Sequence, residues 1–178
     1  MMTPPVSVIV IMGVSGSGKS TIAQQLASRV HWEFVDGDAF HPPANIAKMK
    51  SGTPLTDEDR WPWLKAIASW IDEKRRGRAH GIVTSSALKR RYREVLIGGR
   101  PDVRLVYLKG TPELIGRRLA ARTDHFMPSG LLRSQFEALE EPGRDENAIV
   151  VSVDEPPEAI VDRILAELNR GDPTGQAA

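Results

Sequence analysis

Apolar positions along the chain fall into five short blocks separated by longer amphipathic stretches. Val6 to Met12 is nearly all apolar and rich in β-branched residues, the pattern of a parallel strand covered on both faces, and so of a central strand. Trp32 to Val35, Gly81 to Ser86, Val103 to Leu108 and Ala148 to Val153 are further strands by the same criterion. The intervening stretches carry helical spacing. One helix runs from Ser20 with Ile22, Leu26 and Val30 on its apolar face and ends before His31. A short one covers Ala44 to Lys50 and stops at Gly52-Thr53-Pro54. A longer one opens around Thr56 to Trp63 and buries Trp63, Ile67, Trp70 and Ile71 as core, then closes at Gly77 behind Lys74, Arg75 and Arg76. A basic helix begins at Ala87 to Glu94. Thr111 as N-cap and Pro112 at the first helical position start another that reaches Arg122. Two more cover Leu131 to Glu140 and, from Pro156-Pro157, the stripe Ile160, Val161, Ile164, Leu165 and Leu168.

Strands alternating with helices in this way predict an α/β fold, a doubly wound, five-stranded parallel sheet, with residues 1–178 as one domain. The stretch from Thr123 to Gly130 has no strand character, and arginines at 117, 118, 122 and 133 frame it. A polar, arginine-framed excursion suits a small helical lid over about 123–145, because phosphoryl transfer needs cations on the moving group and exclusion of water. Residues 170–178 read as a frayed tail.

Composition removes several function classes. A formal net charge of +1 gives no global attraction to nucleic acid or to a membrane surface, so any anion is bound locally. The absence of cysteine excludes disulfides, thiol chemistry and a cysteine zinc site. Met1 to Pro5 has no basic leader, and no apolar stretch is long enough to cross a bilayer, so a cytoplasmic location is expected.

The strongest chemical signal follows the first strand. Gly13-Val14-Ser15-Gly16-Ser17-Gly18-Lys19-Ser20-Thr21 has the form G-x-x-x-x-G-K-[ST] between a strand and a helix, the context that a P-loop requires. Its glycines let the loop curl with backbone N–H groups inward, and the helix adds the positive end of its dipole. Lys19 then reaches the β- and γ-phosphates and the Ser20 hydroxyl binds Mg²⁺. Asp36-Gly37-Asp38 ends the second strand, where ligands of open α/β sheets bind, although the same tripeptide is also a common turn. Lys89, Arg90, Arg91 and Arg93 form either a solvated face or an anion site. No Asn-Lys-x-Asp element for reading guanine is present, and the strand tips lack an Asp-x-x-Gly switch. A short chain with an arginine-framed lid therefore points to transfer to a small acceptor.

Beyond the P-loop, the ordered blocks Asp-Gly-Asp-Ala-Phe-His-Pro (36–42), Asn45 with Lys48-Met49, Gly-Thr-Pro-Leu-Thr-Asp-Glu-Asp-Arg-Trp-Pro-Trp-Leu (52–64), Ser-Ala-Leu-Lys-Arg (86–90), Tyr92-Arg93, His125-Phe126-Met127 and Ser-Gln-Phe-Glu-Ala-Leu-Glu (134–140) resemble the P-loop gluconokinase family over residues 6 to 153. The resemblance implies ATP-dependent phosphorylation of D-gluconate to 6-phosphogluconate with Mg²⁺, in a fold related to shikimate and adenylate kinases, and it suggests a homodimer. Under it, Gly13, Ser15, Gly16, Ser17, Gly18, Lys19, Ser20 and Thr21 position ATP, and Ser20 binds the metal directly with Asp36 acting through water. Asp38 is the base that takes the acceptor proton. Arg60, Lys89 and Arg93 suit the gluconate carboxylate, with His41 and Lys48 behind them, and in the lid Arg122 stabilises the transferring phosphoryl while Arg118 stacks on adenine. The chain departs from the family at Ser85, where a cysteine is common, and at Ile97, where an arginine is common. Another small acceptor, such as shikimate, another aldonic acid or a nucleotide, and a regulatory module without transfer are the alternatives.

Overall fold

The computed structural model describes residues 5–121 and 129–170, with no side-chain description of Ser129. Its strands are β1 (Val8–Met12), β2 (Glu33–Asp36), β3 (Gly81–Thr84), β4 (Val103–Lys109) and β5 (Ile149–Ser152), all parallel in the order β2-β3-β1-β4-β5. The most apolar run is thus the central strand, and every residue of β1 is fully buried. Side chains alternate across a strand, so Ile9 and Ile11 enter one core and Val8, Val10 and Met12 the other. The first core is covered by α1 (Lys19–Val30) and α7 (Pro157–Arg170), through Ile22, Leu26, Ile160 and Ile164. The second is covered by α3 (Asp57–Arg76) and α4 (Arg90–Ile97), through Trp63, Leu64, Ile67, Ile71 and Leu96. Burying each of these large side chains contributes roughly 1.5–3 kcal/mol, enough for the α3 stripe to fix that helix on the sheet without any ion pair.

Helix ends follow the sequence signals closely. Thr56 and Asp59 form a reciprocal capping box at the start of α3, with Asp59 N–H donating to Thr56 Oγ1 (3.2 Å) and Thr56 N–H to Asp59 Oδ2 (2.9 Å). Thr111 Oγ1 accepts from Leu114 N–H (3.2 Å) ahead of α5 (Pro112–Ala121). The short helix expected after Pro43 is α2 (Pro43–Lys50).

The strands β1 and β3 are each two residues shorter than expected, and two helices are shifted. The basic helix starts at Arg90, not Ala87, because the chain turns at Ala87 (φ 38°) to bury Ala87 and Leu88. The helix expected over Leu131 to Glu140 is α6 (Ser129–Ala138), and it ends early because Glu140 N–H leaves to donate to Leu88 O (2.8 Å). Arg122, residues 123–128 of the expected lid and the tail beyond Arg170 lie outside the described residues. Among those described, no helix is long and apolar enough to cross a membrane.

Candidate active site

The carboxyl ends of β1, β3 and β2 lie side by side, with Ile11 opposite Thr84 and Thr84 opposite Asp36. From β1 the chain enters the glycine loop, where Gly16 (φ 83°) and Gly18 (φ 92°) take left-handed backbone conformations that a Cβ disfavours. Gly18 caps α1 without a side-chain hydrogen bond, which leaves the first helical N–H groups for an anion. Lys19 Nζ folds over the loop and donates to Gly13 O (2.9 Å) and Val14 O (3.1 Å). Burial lowers its pKa to about 8, against the opposing pull of Asp38 and Asp36. An ammonium stripped of water and facing two carboxylates is poised for a stronger anion.

Asp36 sits at the centre of a small network. Ser20 Oγ donates to Asp36 Oδ2 (3.1 Å), while Asp36 Oδ1 accepts from Asp38 N–H (2.9 Å) and from Thr84 Oγ1 (3.3 Å). The Thr84 hydroxyl also accepts from Gly37 N–H (3.2 Å). Only glycine fits at position 37, since a Cβ there would stand 1.9 Å from Thr84 O. From below, the Trp63 indole donates to Gly37 O (2.8 Å), so the core of α3 fixes the turn that carries both carboxylates. Thr84 and Trp63 are thus positioning residues absent from the sequence-based set.

Asp38 follows in a single turn of 3₁₀ helix, Gly37–Phe40. Its side chain is 81% exposed, yet the surrounding chain removes part of its hydration. That desolvation first, and then Asp36, raise its pKa, while Lys19 opposes them. His41, expected among the acceptor ligands, is instead buried and stacked on Trp63, with ring centroids 4.2 Å apart.

Arg60 and Lys89, expected to bind the acceptor, lie with Arg91 around Tyr92. Arg60 donates to Leu55 O (2.6 Å) and Tyr92 Oη (3.2 Å), and Lys89 Nζ lies 5.8 Å from the Tyr92 ring centre. Asp57 accepts from Tyr92 Oη, pairs with Arg91 and stands 3.9 Å from Lys89 Nζ. The Tyr92 hydrogen bond, then Arg91, Lys89 and Arg60, hold its pKa low. Lys48 is paired with Asp59 (2.8 Å), which ties α2 to the start of α3.

Arg93 departs from expectation. It is 2% exposed, with Nε and Nη2 donating to the two carboxylate oxygens of Glu146 (2.6 and 3.1 Å) and Nη1 to Ala87 O and Leu88 O (both 3.1 Å). Its guanidinium holds the strand-to-helix turn together, and Arg91 takes the place in the cluster that Arg93 was expected to fill. Arg93→Met should therefore destabilise the protein by about 3 kcal/mol, the cost of leaving one partner of a buried pair unmatched, as read from urea denaturation. Unchanged stability with a raised KM for the acceptor would return Arg93 to the binding site.

From α6, part of the stretch expected to form a lid, Gln135 reaches the P-loop. It accepts from Ser15 N–H (2.7 Å) and donates to Ser15 Oγ (2.9 Å), across 120 residues of sequence. Arg118 donates through Nη2 to Val153 O (2.5 Å), beyond the end of β5. Thr21 lies exposed in the first turn of α1, and Ser17 Oγ is buried with no hydrogen-bond partner among the described residues.

Among the described residues no three carboxylate or imidazole groups are arranged as a metal cage. Mg²⁺ does not require one, since it commonly takes one or two protein oxygens and fills its shell with phosphate and water. The adjoining oxygens of Ser20 and Asp36 fit that donor set.

Known proteins resemble this chain over most of its length. The AAA domain family matches residues 8–142. The thermoresistant gluconokinase of Escherichia coli K12 is 44% identical over 165 residues, covering 92% of this chain and 94% of that protein. The gluconokinase of Gluconobacter oxydans 621H is 43% identical over 164 residues, 92% of each chain. The crystal structure of a gluconokinase from Sinorhizobium meliloti 1021 superposes with a TM-score of 0.85 at 43% identity, over 96% of this chain and 94% of that one.

Proposed function

Because the chain belongs to the gluconokinase family of P-loop proteins, we propose that its two-sided cleft transfers the γ-phosphoryl group of ATP to D-gluconate, giving 6-phospho-D-gluconate and ADP. The observation that carries this reading is the division of labour within one turn. Asp36 is tied to the P-loop through Ser20 (3.1 Å), and Asp38, two residues on, has an exposed carboxylate facing Lys19 and free to meet an acceptor.

Roles follow from position. The P-loop amides and Lys19 grip the phosphates and draw off charge from the oxygens that gain it in the transition state. Ser20 and Asp36 would hold Mg²⁺, which supplies charge neutralisation of the triphosphate. Asp38 takes the proton of the acceptor hydroxyl as its oxygen bonds to the γ-phosphorus and the bond to the bridging oxygen of ADP breaks. Arg60, Lys89 and Arg91 suit the gluconate carboxylate, since displacing Asp57 from this cluster exchanges one carboxylate for another. Arg118, and Arg122 outside the described residues, belong to the nucleotide and phosphoryl side.

The test is ADP release by the purified protein with ATP and Mg²⁺. D-Gluconate, shikimate, adenosine 5′-phosphosulfate and nucleoside monophosphates serve as alternative acceptors. Gluconate alone should drive turnover, with a product of the mass of 6-phosphogluconate. Equal turnover with shikimate or a nucleotide, or tight ATP binding with no acceptor-dependent ADP, would overturn the assignment.

A further inference from the structure

Behind the Asp36–Asp38 turn, two buried side chains form a line that ends on Asp38. Asn45 is 3% exposed and His41 8%, with the His41 ring sandwiched against Trp63 at an interplanar angle of 12°. The Asn45 amide has one possible orientation, because Nδ2 donates to the backbone carbonyl of Asp59 (2.8 Å), which can only accept. The same nitrogen lies 3.2 Å from His41 Nδ1. An amide NH₂ has two hydrogens and no lone pair available to accept, so with one hydrogen on Asp59 O the other points at Nδ1. Nδ1 must then be the acceptor. Burial, and then the Arg60 guanidinium, push the ring pKa down to about 4, so the imidazole is neutral and carries a single proton. That proton sits on Nε2, 3.9 Å from Asp38 Oδ1.

Among the described residues no hydrogen bond reaches the Asp38 carboxylate oxygens, and the side chain is 81% exposed. A general base must present one lone pair to the acceptor hydroxyl, and in such sites the supporting hydrogen bonds are often long until substrate closes the cleft. We propose that Asn45 fixes His41 as the Nε2–H tautomer and that His41 is the positioning residue that anchors Asp38 Oδ1, leaving Oδ2 to take the acceptor proton. Asn45 acts through His41, and neither touches the reacting atoms. This inference rests on the kinase reading for its consequence, but the tautomer stands independently of it.

Two measurements test it. In ¹⁵N-labelled protein near neutral pH, the long-range ¹H–¹⁵N pattern of the His41 ring, assigned by its loss in His41→Gln, should be that of the Nε2–H tautomer. An Nδ1–H pattern or an exchanging mixture would overturn the proposal, whether or not the protein is a kinase. In the gluconate assay, with wild-type turnover established first, His41→Leu should lower kcat about 10–100-fold, the range expected when a reacting group is misplaced. Both KM values should stay near wild type. His41→Gln, which can return an N–H to the Nε2 position, should recover most of the loss, and Asn45→Ala should behave like His41→Leu. Equal kcat losses in the glutamine and leucine variants would reduce His41 to packing under Trp63. A raised KM for gluconate at unchanged kcat would make it a direct acceptor ligand, and either result discards the positioning role.

Discussion

Lys19→Met is expected to lower kcat/KM for gluconate phosphorylation by about 10³-fold, at the upper end of what one charge-stabilising donor contributes in a dry site. The ammonium is held over the P-loop by Gly13 O and Val14 O, and neither contact survives in methionine. Folding should not suffer. Burial lowers the pKa of Lys19 from 10.5 to about 8, so its charge opposes the native state at neutral pH. Between about 8 and 10.5 the unfolded chain binds this proton and the native chain does not. Wild-type stability therefore gains with rising pH across that window relative to Lys19→Met. Steady-state kinetics with thermal melts at pH 7 and pH 9.5 check both halves. A variant that melts early would place the lost activity in folding, and one that keeps full kcat/KM would remove the P-loop from the reaction.

The layout of the fold was legible because the central strands of a buried parallel sheet are apolar runs, and some of the helices between them announce their starts, as α3 does with its capping box and α5 with Thr111. Val8 to Met12 and the Thr56 capping box are cases where local chemistry and tertiary position agree. The start of α4 was not legible. Alanine has no preference for the left-handed turn that Ala87 adopts, and that turn is held by carbonyl contacts to Arg93. The exchange of Arg93 for Arg91 has a different cause. Successive helical positions are about 100° apart, so within one basic run some side chains face the cleft and others the core. The sorting depends on Glu146, which is 53 residues away in sequence.

In the site, the P-loop and the Asp36–Asp38 turn could be placed from strand-tip geometry alone. Thr84 could not, since a threonine closing an apolar run reads as one more β-former. Gln135 lay within a recognisable block, but a glutamine in an amphipathic helix gives no local sign that it grips Ser15. His41 was visible as a residue and mistaken in its surroundings. Its burial comes from the Trp63 ring, a long-range contact that the sequence does not announce.

Asp38→Asn should lower kcat by about 10²–10⁴-fold, the usual contribution of a positioned general base, while ATP affinity stays near wild type or tightens slightly. Asparagine keeps the shape of the side chain but cannot take the acceptor proton. It also removes a negative charge that Lys19 otherwise faces alongside Asp36, so the phosphate side loses no attraction for the nucleotide. Desolvation and Asp36 raise the Asp38 pKa, and a raised pKa means that the base becomes protonated, and idle, at a higher pH than an ordinary carboxylate. Wild-type kcat/KM should therefore fall toward acid above the ordinary carboxylate range, and the residual activity of Asp38→Asn should lack that limb. Asp36→Asn supplies the contrast. That residue is hydrogen-bonded to Ser20 and Thr84, so its loss should appear as a raised Mg²⁺ requirement, with the acid limb retained but moved to lower pH because Asp36 no longer raises the Asp38 pKa. Turnover unchanged in Asp38→Asn would move the proton to another acceptor and leave the two carboxylates of the turn without separate tasks.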